Sequence, residues 1–126
     1  MKLEQNGMRI NSSIQSDLIR YKSGIGTYTQ TMPEIVSAYN AFTESCFSEG
    51  EISKKNKQLM ALGISVYSQD EYCIIYHAKG CLDQGCSVKE IFEAIGIAAA
   101  LGGGAAMSQG VTLVQECMEE FSQLKH

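Results

Sequence analysis

The amino-acid sequence predicts an all-α fold, and three observations support that prediction. Apolar residues recur at spacings of three and four along most of the 126 residues, which is the period of an amphipathic helix. No stretch of useful length alternates between apolar and polar residues, as a half-buried strand would. Residues that begin helices precede several of the apolar runs. We therefore expect about six helices in one domain spanning 1–126.

The first two predicted helices lie in the N-terminal part of the chain. The apolar stripe of the first helix consists of Ile14, Leu18, Tyr21 and Ile25. Gly24 and Gly26 predict the end of that helix. Pro33 suits the first turn of the second helix, where its missing N–H is not needed. The second stripe consists of Ile35, Tyr39, Phe42 and Cys46.

The remaining helices carry clearer boundary signals. Ser53 predicts the start of the third helix, and Asp70 predicts the start of a fourth that runs to about Gly85. Ser87 and Glu90 have the spacing of a capping box before the fifth helix. The triple glycine 102–104 predicts a break before the last helix. That helix has an apolar side formed by Met107, Val111, Val114, Met118 and Phe121.

The fifth helix ends in "IGIAAALGGG" and is apolar on all sides. A helix without a polar face is buried, and a domain this small has little room to surround one. We therefore predict that other copies of the chain cover it in a homo-oligomer. The alternative is that it forms the central helix of a monomer.

Composition and charge exclude several classes of protein. The net charge is −4 and the pI is about 5.1, which argues against nucleic-acid binding. Five cysteines, an odd number, fit a reduced cytoplasmic protein better than a secreted disulfide scaffold. The sequence shows no signal-peptide pattern, and no apolar stretch approaches the length of a membrane span. We therefore expect no membrane partner.

The segment "DEYCIIYH", residues 70–77, contains the strongest candidate site. Cys73, His77 and Cys81 share one helical face because they are four residues apart. Cys73 and Cys81 lie roughly 12 Å apart along the axis, too far to bind one metal ion. Asp70, Cys73 and His77 could supply three ligands, but no fourth follows at a recognisable spacing. We therefore predict neither a metal nor another cofactor.

A reactive thiol is the second interpretation of this segment. The first turn of a helix favours an anion, which lowers the pKa of Cys73, and His77 could accept the thiol proton. A carboxylate at Asp70 acts in the opposite direction and raises that pKa. The third interpretation is structural, because cysteine often serves as a small buried hydrophobic residue.

The order of motifs resembles the carboxymuconolactone decarboxylase family, and within it the alkylhydroperoxidase D-like core. The resemblance covers about 53–122 and rests on an apolar helix, then "CIIYHA", then "GCSVKEI", then a small-residue helix that ends in glycines. It implies an all-helical fold and a symmetric homo-oligomer, commonly a trimer or hexamer. For the redox members it implies a C-x-x-C-x-x-x-H site with a glutamate on the preceding helix.

The chain departs from that redox pattern at three positions. Cys73 and His77 match the second cysteine and the histidine. Asp70 replaces the first cysteine, Gln58 replaces the glutamate, and Tyr72 replaces a further histidine of some members. The resemblance therefore implies one-cysteine chemistry at most, in which oxidised Cys73 needs an external thiol reductant or another cysteine.

Three functions follow from these observations. The first is a weak or one-cysteine thiol-dependent antioxidant oxidoreductase, with peroxiredoxin-type activity, that uses Cys73 and His77. In it Gln58, Asp70, Tyr72 and Tyr76 line the site. The second is lactone decarboxylation, which needs cations that the Cys73 stripe does not offer at helical spacing. The third is a catalytically degenerate oligomer that binds a small ligand.

Overall fold

The computed structural model describes the backbone of residues 6–124 and the side chains of 13–122, and within that range it is helical without strands. The helices are α1 (Asn6–Thr31), α2 (Pro33–Phe47), α3 (Lys54–Ser68), α4 (Glu71–Asp83), α5 (Val88–Gln109) and α6 (Gln115–Leu124). A π-helical segment, Gly110–Val114, joins α5 to α6. The all-α prediction is confirmed.

The last two predicted helices form one continuous hydrogen-bonded run. Counted in that way the described chain has five helices, one fewer than expected. The glycines still matter, because Gly103 has φ 76° and ψ −156°, which are not helical angles. Glycine reaches positive φ without steric cost. The run therefore bends at the triple glycine, as the sequence predicted, although its hydrogen bonding continues on both sides.

Short-range capping signals predicted three helix starts correctly. The Ser53 side chain accepts a hydrogen bond from the Asn56 N–H at 3.0 Å. Ser87 and Glu90 form the reciprocal capping box, with distances of 2.8 and 3.1 Å. Each cap satisfies N–H groups that have no partner within the helix. Asp70 also caps α4, at the candidate site described below.

Two expectations for the N-terminal helices were wrong. Gly24 and Gly26 lie inside α1, which continues to Thr31, because a glycine lowers helix stability without forbidding the helix. Pro33 does begin α2. However, the predicted α2 stripe is exposed in the described chain, and Val36 is the buried residue of this helix. The helical spacing of the apolar residues in α2 was therefore predicted correctly, but a different face of the helix packs inward.

The core lies between α3, α4 and α5 and is closed by α6 and one position of α1. Its fully buried large side chains are Ile14, Leu62, Val66, Ile74, Ile75, Cys81, Ile91, Val114 and Cys117. α3 packs against both α4 and α5, so residues on α3 can reach side chains on α4. This packing builds the candidate site.

The expectation that no stretch is long enough to span a membrane was wrong, because one helical run has the length and the apolar composition of a membrane span. The run Val88–Ser122 reaches a mean hydropathy of 1.5 over its most apolar window. Its isoleucines and alanines raise that average, and 22% of the window is buried in the described chain. One of its faces supplies Ile91, Ile95, Ala98 and Ala106 to the core, so we interpret it as the central helix of the fold.

Gly110, at the start of the π-helical segment, provides a test of core packing. A Cβ at this position would overlap Ile95, whereas a Cβ at Gly104 would meet open space. We expect Gly110→Ala to destabilise the fold by roughly 1–3 kcal/mol through overpacking. Gly104→Ala is the matched control, and we expect it to be neutral or stabilising by up to about 1 kcal/mol. Urea unfolding midpoints measure both; equal midpoints would contradict the close packing of Gly110 on Ile95.

Candidate functional site

Asp70 and Cys73 are held together where α3 ends and α4 begins. α3 closes with Gln69 in the left-handed conformation (φ 61°), and the Asp70 N–H donates to the Ser65 carbonyl at 3.3 Å. The Asp70 carboxylate then accepts from the Cys73 N–H at 3.1 Å, which makes it the N-cap of α4. The charge of the same carboxylate also acts on the nearby Cys73 thiol. The Asp70 side chain therefore both caps α4 and affects the ionisation of the Cys73 thiol.

The surroundings of Cys73 favour the neutral thiol over the thiolate. Partial burial raises the pKa of the Cys73 thiol, and the charge and hydrogen bonding of Asp70 raise that pKa further. The thiol is nevertheless exposed in the described chain. At neutral pH Cys73 is therefore an accessible thiol that keeps its proton, and a smaller fraction is thiolate than for an ordinary cysteine.

His77 is oriented by Gln58 across the contact between α3 and α4. The ring Nδ1 lies 3.0 Å from Gln58 Oε1. With the Gln58 amide in this orientation its oxygen accepts, so the matching tautomer of His77 carries the proton on Nδ1 and keeps the lone pair on Nε2. Gly80 makes this contact possible, because a Cβ there would overlap the Gln58 amide. Burial lowers the pKa of His77, so the ring is neutral at pH 7.

Aromatic side chains enclose the His77 ring. Phe47, the last residue of α2, stacks on it with a centroid distance of 5.4 Å, and Tyr76 meets it edge-on at 5.1 Å. Lys57 fixes the end of α2 by donating to the carbonyls of Cys46 at 2.9 Å and Ser48 at 2.8 Å. The described structure therefore surrounds a neutral, oriented imidazole with apolar surface.

α1 supplies the remaining wall of the site. Tyr21 lies against Tyr72 with a centroid distance of 5.9 Å. Burial raises the pKa of Tyr21, and the neighbouring Tyr39, Cys73 and Tyr76 add to that increase. Tyr21 is therefore close enough to Cys73 for their charges to interact.

The six sequence-predicted residues fall into three sets of contacts: Gln58 and Tyr76 meet His77, Asp70 meets Cys73, and Tyr72 meets Tyr21. Cys73 and His77 are not hydrogen-bonded to each other among the described residues: the His77 ring contacts Gln58, and the Cys73 N–H donates to Asp70. No cluster of three metal-binding side chains is found in the described chain.

Sequence reasoning missed three contributors to the site. Phe47 lies beyond the resemblance, and nothing local indicates that it stacks on His77. Tyr21 reaches the site only through the packing of α1 on α4. Gly80 did carry a signal, since a glycine inside a helix often marks a close approach by another residue.

A large apolar groove lies elsewhere in the described structure. It has a volume of about 790 Å³ and is lined by residues of α3 and α5. Its lining is mainly apolar and includes Met60, Ile64, Tyr67, Ile97 and Leu101. No member of the Cys73 stripe contributes to it, so we separate this groove from the candidate chemistry.

The fold and these motifs agree with a family match. The model of the carboxymuconolactone decarboxylase family matches residues 33–116, two thirds of the chain. The chain belongs to the carboxymuconolactone decarboxylase family. A relative from Paracoccus denitrificans, "Uncharacterized protein 4 in cox locus", is 32% identical over 84 residues, which cover 67% of this chain and 76% of that protein.

Solved structures of this family share the fold. The family protein lpg0406 of Legionella pneumophila superposes with a TM-score of 0.71 at 22% identity, covering 92% of this chain and 97% of that one. The Thermotoga maritima family protein TM1620 gives 0.65 at 29% identity over 71% of this chain and 93% of that one. An involvement in the antioxidative response has been suggested for the Thermotoga protein.

Proposed function

We propose that this chain is a one-cysteine, thiol-dependent antioxidant oxidoreductase that reduces hydroperoxides slowly through Cys73. The observation that carries the proposal is an accessible thiol in the first turn of α4, next to the Asp70 cap, an oriented neutral imidazole and an aromatic wall. Family membership and the antioxidative role suggested for the Thermotoga relative support it.

The reaction needs a proton acceptor and then a proton donor. Cys73 first loses its proton to solvent, and the thiolate sulfur then attacks the terminal peroxide oxygen as the O–O bond breaks. The sulfur becomes a sulfenic acid, and the departing alkoxide takes a proton and leaves as an alcohol. The neutral His77 ring offers Nε2 as a hydrogen-bond acceptor for the incoming O–H group.

An external thiol completes the cycle. One thiol condenses with the sulfenic acid, releases water and leaves a mixed disulfide on Cys73. A second thiol exchanges with this disulfide and restores the cysteine. Buried Cys81 and Cys117 are poor substitutes, because burial raises the pKa of both thiols, that of Cys117 to about 12. We propose that the protein works as a homo-oligomer in the reducing cytoplasm.

The pH dependence of hydroperoxide reduction tests this function. Because the pKa of Cys73 is raised above its ordinary value of 9.0, the thiolate fraction keeps increasing up to and beyond that pH. With an organic hydroperoxide and a dithiol reductant, we expect the rate to rise about tenfold per pH unit between neutral pH and pH 9. Cys73→Ser should return the rate to that of the reductant alone.

Cys46→Ser is the matched control, because Cys46 is also an exposed thiol. It should keep the activity and the pH profile. A Cys73→Ser protein that is as active as the parent would refute the proposal, and a rate that levels off below pH 8 would contradict the raised pKa.

A second candidate function is binding of a small apolar ligand at the same site without turnover. It is supported by the carboxylate that keeps Cys73 protonated and by the aromatic groups Tyr21, Phe47 and Tyr72 around it. Under this candidate Cys73→Ser retains ligand binding, and neither protein reduces hydroperoxide above background.

Lactone decarboxylation ranks below both candidates. A carboxylated lactone needs cationic partners, but the Lys57 ammonium beside the site is held by the Cys46 and Ser48 carbonyls, and the Asp70 carboxylate would repel the substrate. Arg20 belongs to α1, which borders the site, but its ion pair is with Asp17 at 3.6 Å and its side chain is 72% exposed. Decarboxylase activity would therefore require a cation from another subunit.

A further inference from the structure

Cys81 and Cys86 are brought together by the turn that ends α4. The Cys86 N–H donates to the Cys81 carbonyl at 2.9 Å, and the Gly85 N–H donates to the Leu82 carbonyl at 3.0 Å. Gly85 has φ 80°. These features define a Schellman motif, in which the residues at the two cysteine positions are normally in side-chain contact. The two thiols also lie close enough to affect each other's pKa.

The backbone geometry permits a disulfide between them. The 2.9 Å hydrogen bond and standard bond lengths limit their Cα–Cα separation to about 6.8 Å. Disulfides span Cα separations of about 4.4–6.8 Å. Both cysteines are free thiols, and all five cysteines lie in the described part of the chain.

The two thiols differ in solvent exposure, and this difference predicts which of them reacts first. Cys81 is fully buried, whereas 8% of Cys86 is exposed. The Cys86 sulfur lies 4.0 Å from the Lys55 carbonyl, and the Lys55 ammonium forms an ion pair with Glu90 at 3.0 Å. A small disulfide from solvent should therefore react first with Cys86, because Cys81 is not accessible to it.

We propose that Cys81 and Cys86 form a second thiol redox site, separate from Cys73, that closes to an intrachain disulfide on reaction with a low-molecular-weight disulfide. Cys73 lies roughly 12 Å from Cys81 along the helix axis, so the two sites act independently. The pair uses residues to which the proposed peroxide chemistry gives no role.

The exchange is balanced in two steps. The Cys86 thiolate attacks one sulfur of the small disulfide, forms a mixed disulfide and expels one thiolate, which takes up the proton that Cys86 released. Cys81 then loses its proton, attacks the Cys86 sulfur and expels the second small thiol. The protein loses two hydrogen atoms, and the small disulfide is reduced to two thiols.

Burial makes this exchange slow at neutral pH. It raises the pKa of both thiols, although Lys55 lowers that of Cys86 in part. The reaction is therefore best measured at equilibrium, after long incubation in glutathione buffers of defined ratio at mildly alkaline pH.

The test uses the Cys46→Ser/Cys73→Ser double variant, which removes both exposed thiols and leaves three of the five. We expect the folded variant to fall from three titratable thiols to one, and peptide mapping to assign the bond to Cys81 and Cys86. We expect the equilibrium constant for closure to be at least tenfold larger in the folded protein than in urea. Three persistent thiols, a bond to Cys117, or equal constants in the two states would overturn the proposal.

Two variants of Gly85 test whether the turn creates the site. A Cβ at Gly85 meets no atom, so the positive φ is what a substitution disturbs. Gly85→Ala should reduce the advantage of the folded state, whereas Gly85→Asn should largely keep it, because asparagine tolerates the left-handed conformation. The same disulfide equilibrium in both folded variants would contradict the role of the turn. Since Cys73 is absent throughout, the outcome is independent of the peroxidase proposal.

Discussion

The Asp70→Cys/Gln58→Glu double mutant should reduce an organic hydroperoxide at least about tenfold faster than the parent, because well-placed acid–base groups contribute roughly 100- to 10,000-fold. Asp70→Cys rebuilds a C-x-x-C motif and removes the anion that raises the pKa of Cys73. The side chain at position 70 already reaches Cys73, so a thiol there is placed to form the resolving disulfide. Gln58→Glu puts a carboxylate on the His77 ring, where the amide is now 3.0 Å away.

Asp70→Asn separates the effect of charge from that of the new thiol. Asparagine caps a helix about as well as aspartate, so α4 keeps its start. An exposed charge interaction is worth up to about 1 kcal/mol, so we expect alkylation of Cys73 at neutral pH to quicken roughly two- to fivefold. The double mutant loses the cap, which destabilises the fold by about 1 kcal/mol. Activities are therefore compared after circular dichroism shows that all variants are folded.

Two outcomes would count against this account. A folded double mutant that forms the disulfide but gains no activity would argue against a redox origin of the site and favour the ligand-binding candidate. An Asp70→Asn protein whose Cys73 reacts no faster than the parent's would mean that burial alone determines the pKa. The measurements are a coupled peroxidase assay and timed alkylation with mass spectrometry.

Helix starts were predictable from the sequence because their causes are local. Ser53, Asp70 and Ser87 each accept a hydrogen bond from an N–H three residues later, so the sequence spacing already contains the contact. The break at the triple glycine was predictable for a similar reason, since only Gly103 has to adopt the positive φ.

Features that depend on packing between helices were not predictable in the same way. Gly24 and Gly26 failed as stop signals because a long helix tolerates glycines when its other residues favour it. The stripe of α2 had helical periodicity, yet periodicity does not say whether a face packs on this chain or remains open. Spacing within α4 predicted the shared face of Cys73 and His77, but not that Asp70 and Gln58 direct them to different partners.

The residues of the candidate site illustrate the same division. The sequence singled out Asp70, Cys73 and His77 because they are close along one helix. The resemblance added Gln58, and the structure places it against His77. The roles of Phe47 and Tyr21 required coordinates, because they come from α2 and α1, outside the stretch to which the resemblance applies.

Leu101→Asp should convert the proposed homo-oligomer into a monomer of about 14 kDa. Leu101 is 78% exposed and Ile97 67% exposed in the single chain, and both line the groove between α3 and α5 with Ile64 and Tyr67. Burying one such side chain stabilises an interface by roughly 1.5–3 kcal/mol. This groove is the surface that we propose a second copy of the chain covers.

An aspartate at position 101 removes that apolar contact and places an unpaired charge in the interface, which costs several kcal/mol. A loss of about 4 kcal/mol corresponds to a roughly thousandfold weaker association. Ala100→Asp is the matched control, because Ala100 is exposed on the neighbouring position but does not line the groove. Sedimentation at micromolar concentration should show the parent and Ala100→Asp as oligomers and Leu101→Asp as a folded monomer. A monomeric parent would refute the proposal of a homo-oligomer. An oligomeric Leu101→Asp protein would show that the interface lies on another surface, and the exposed stripe of α2 would be the next surface to test.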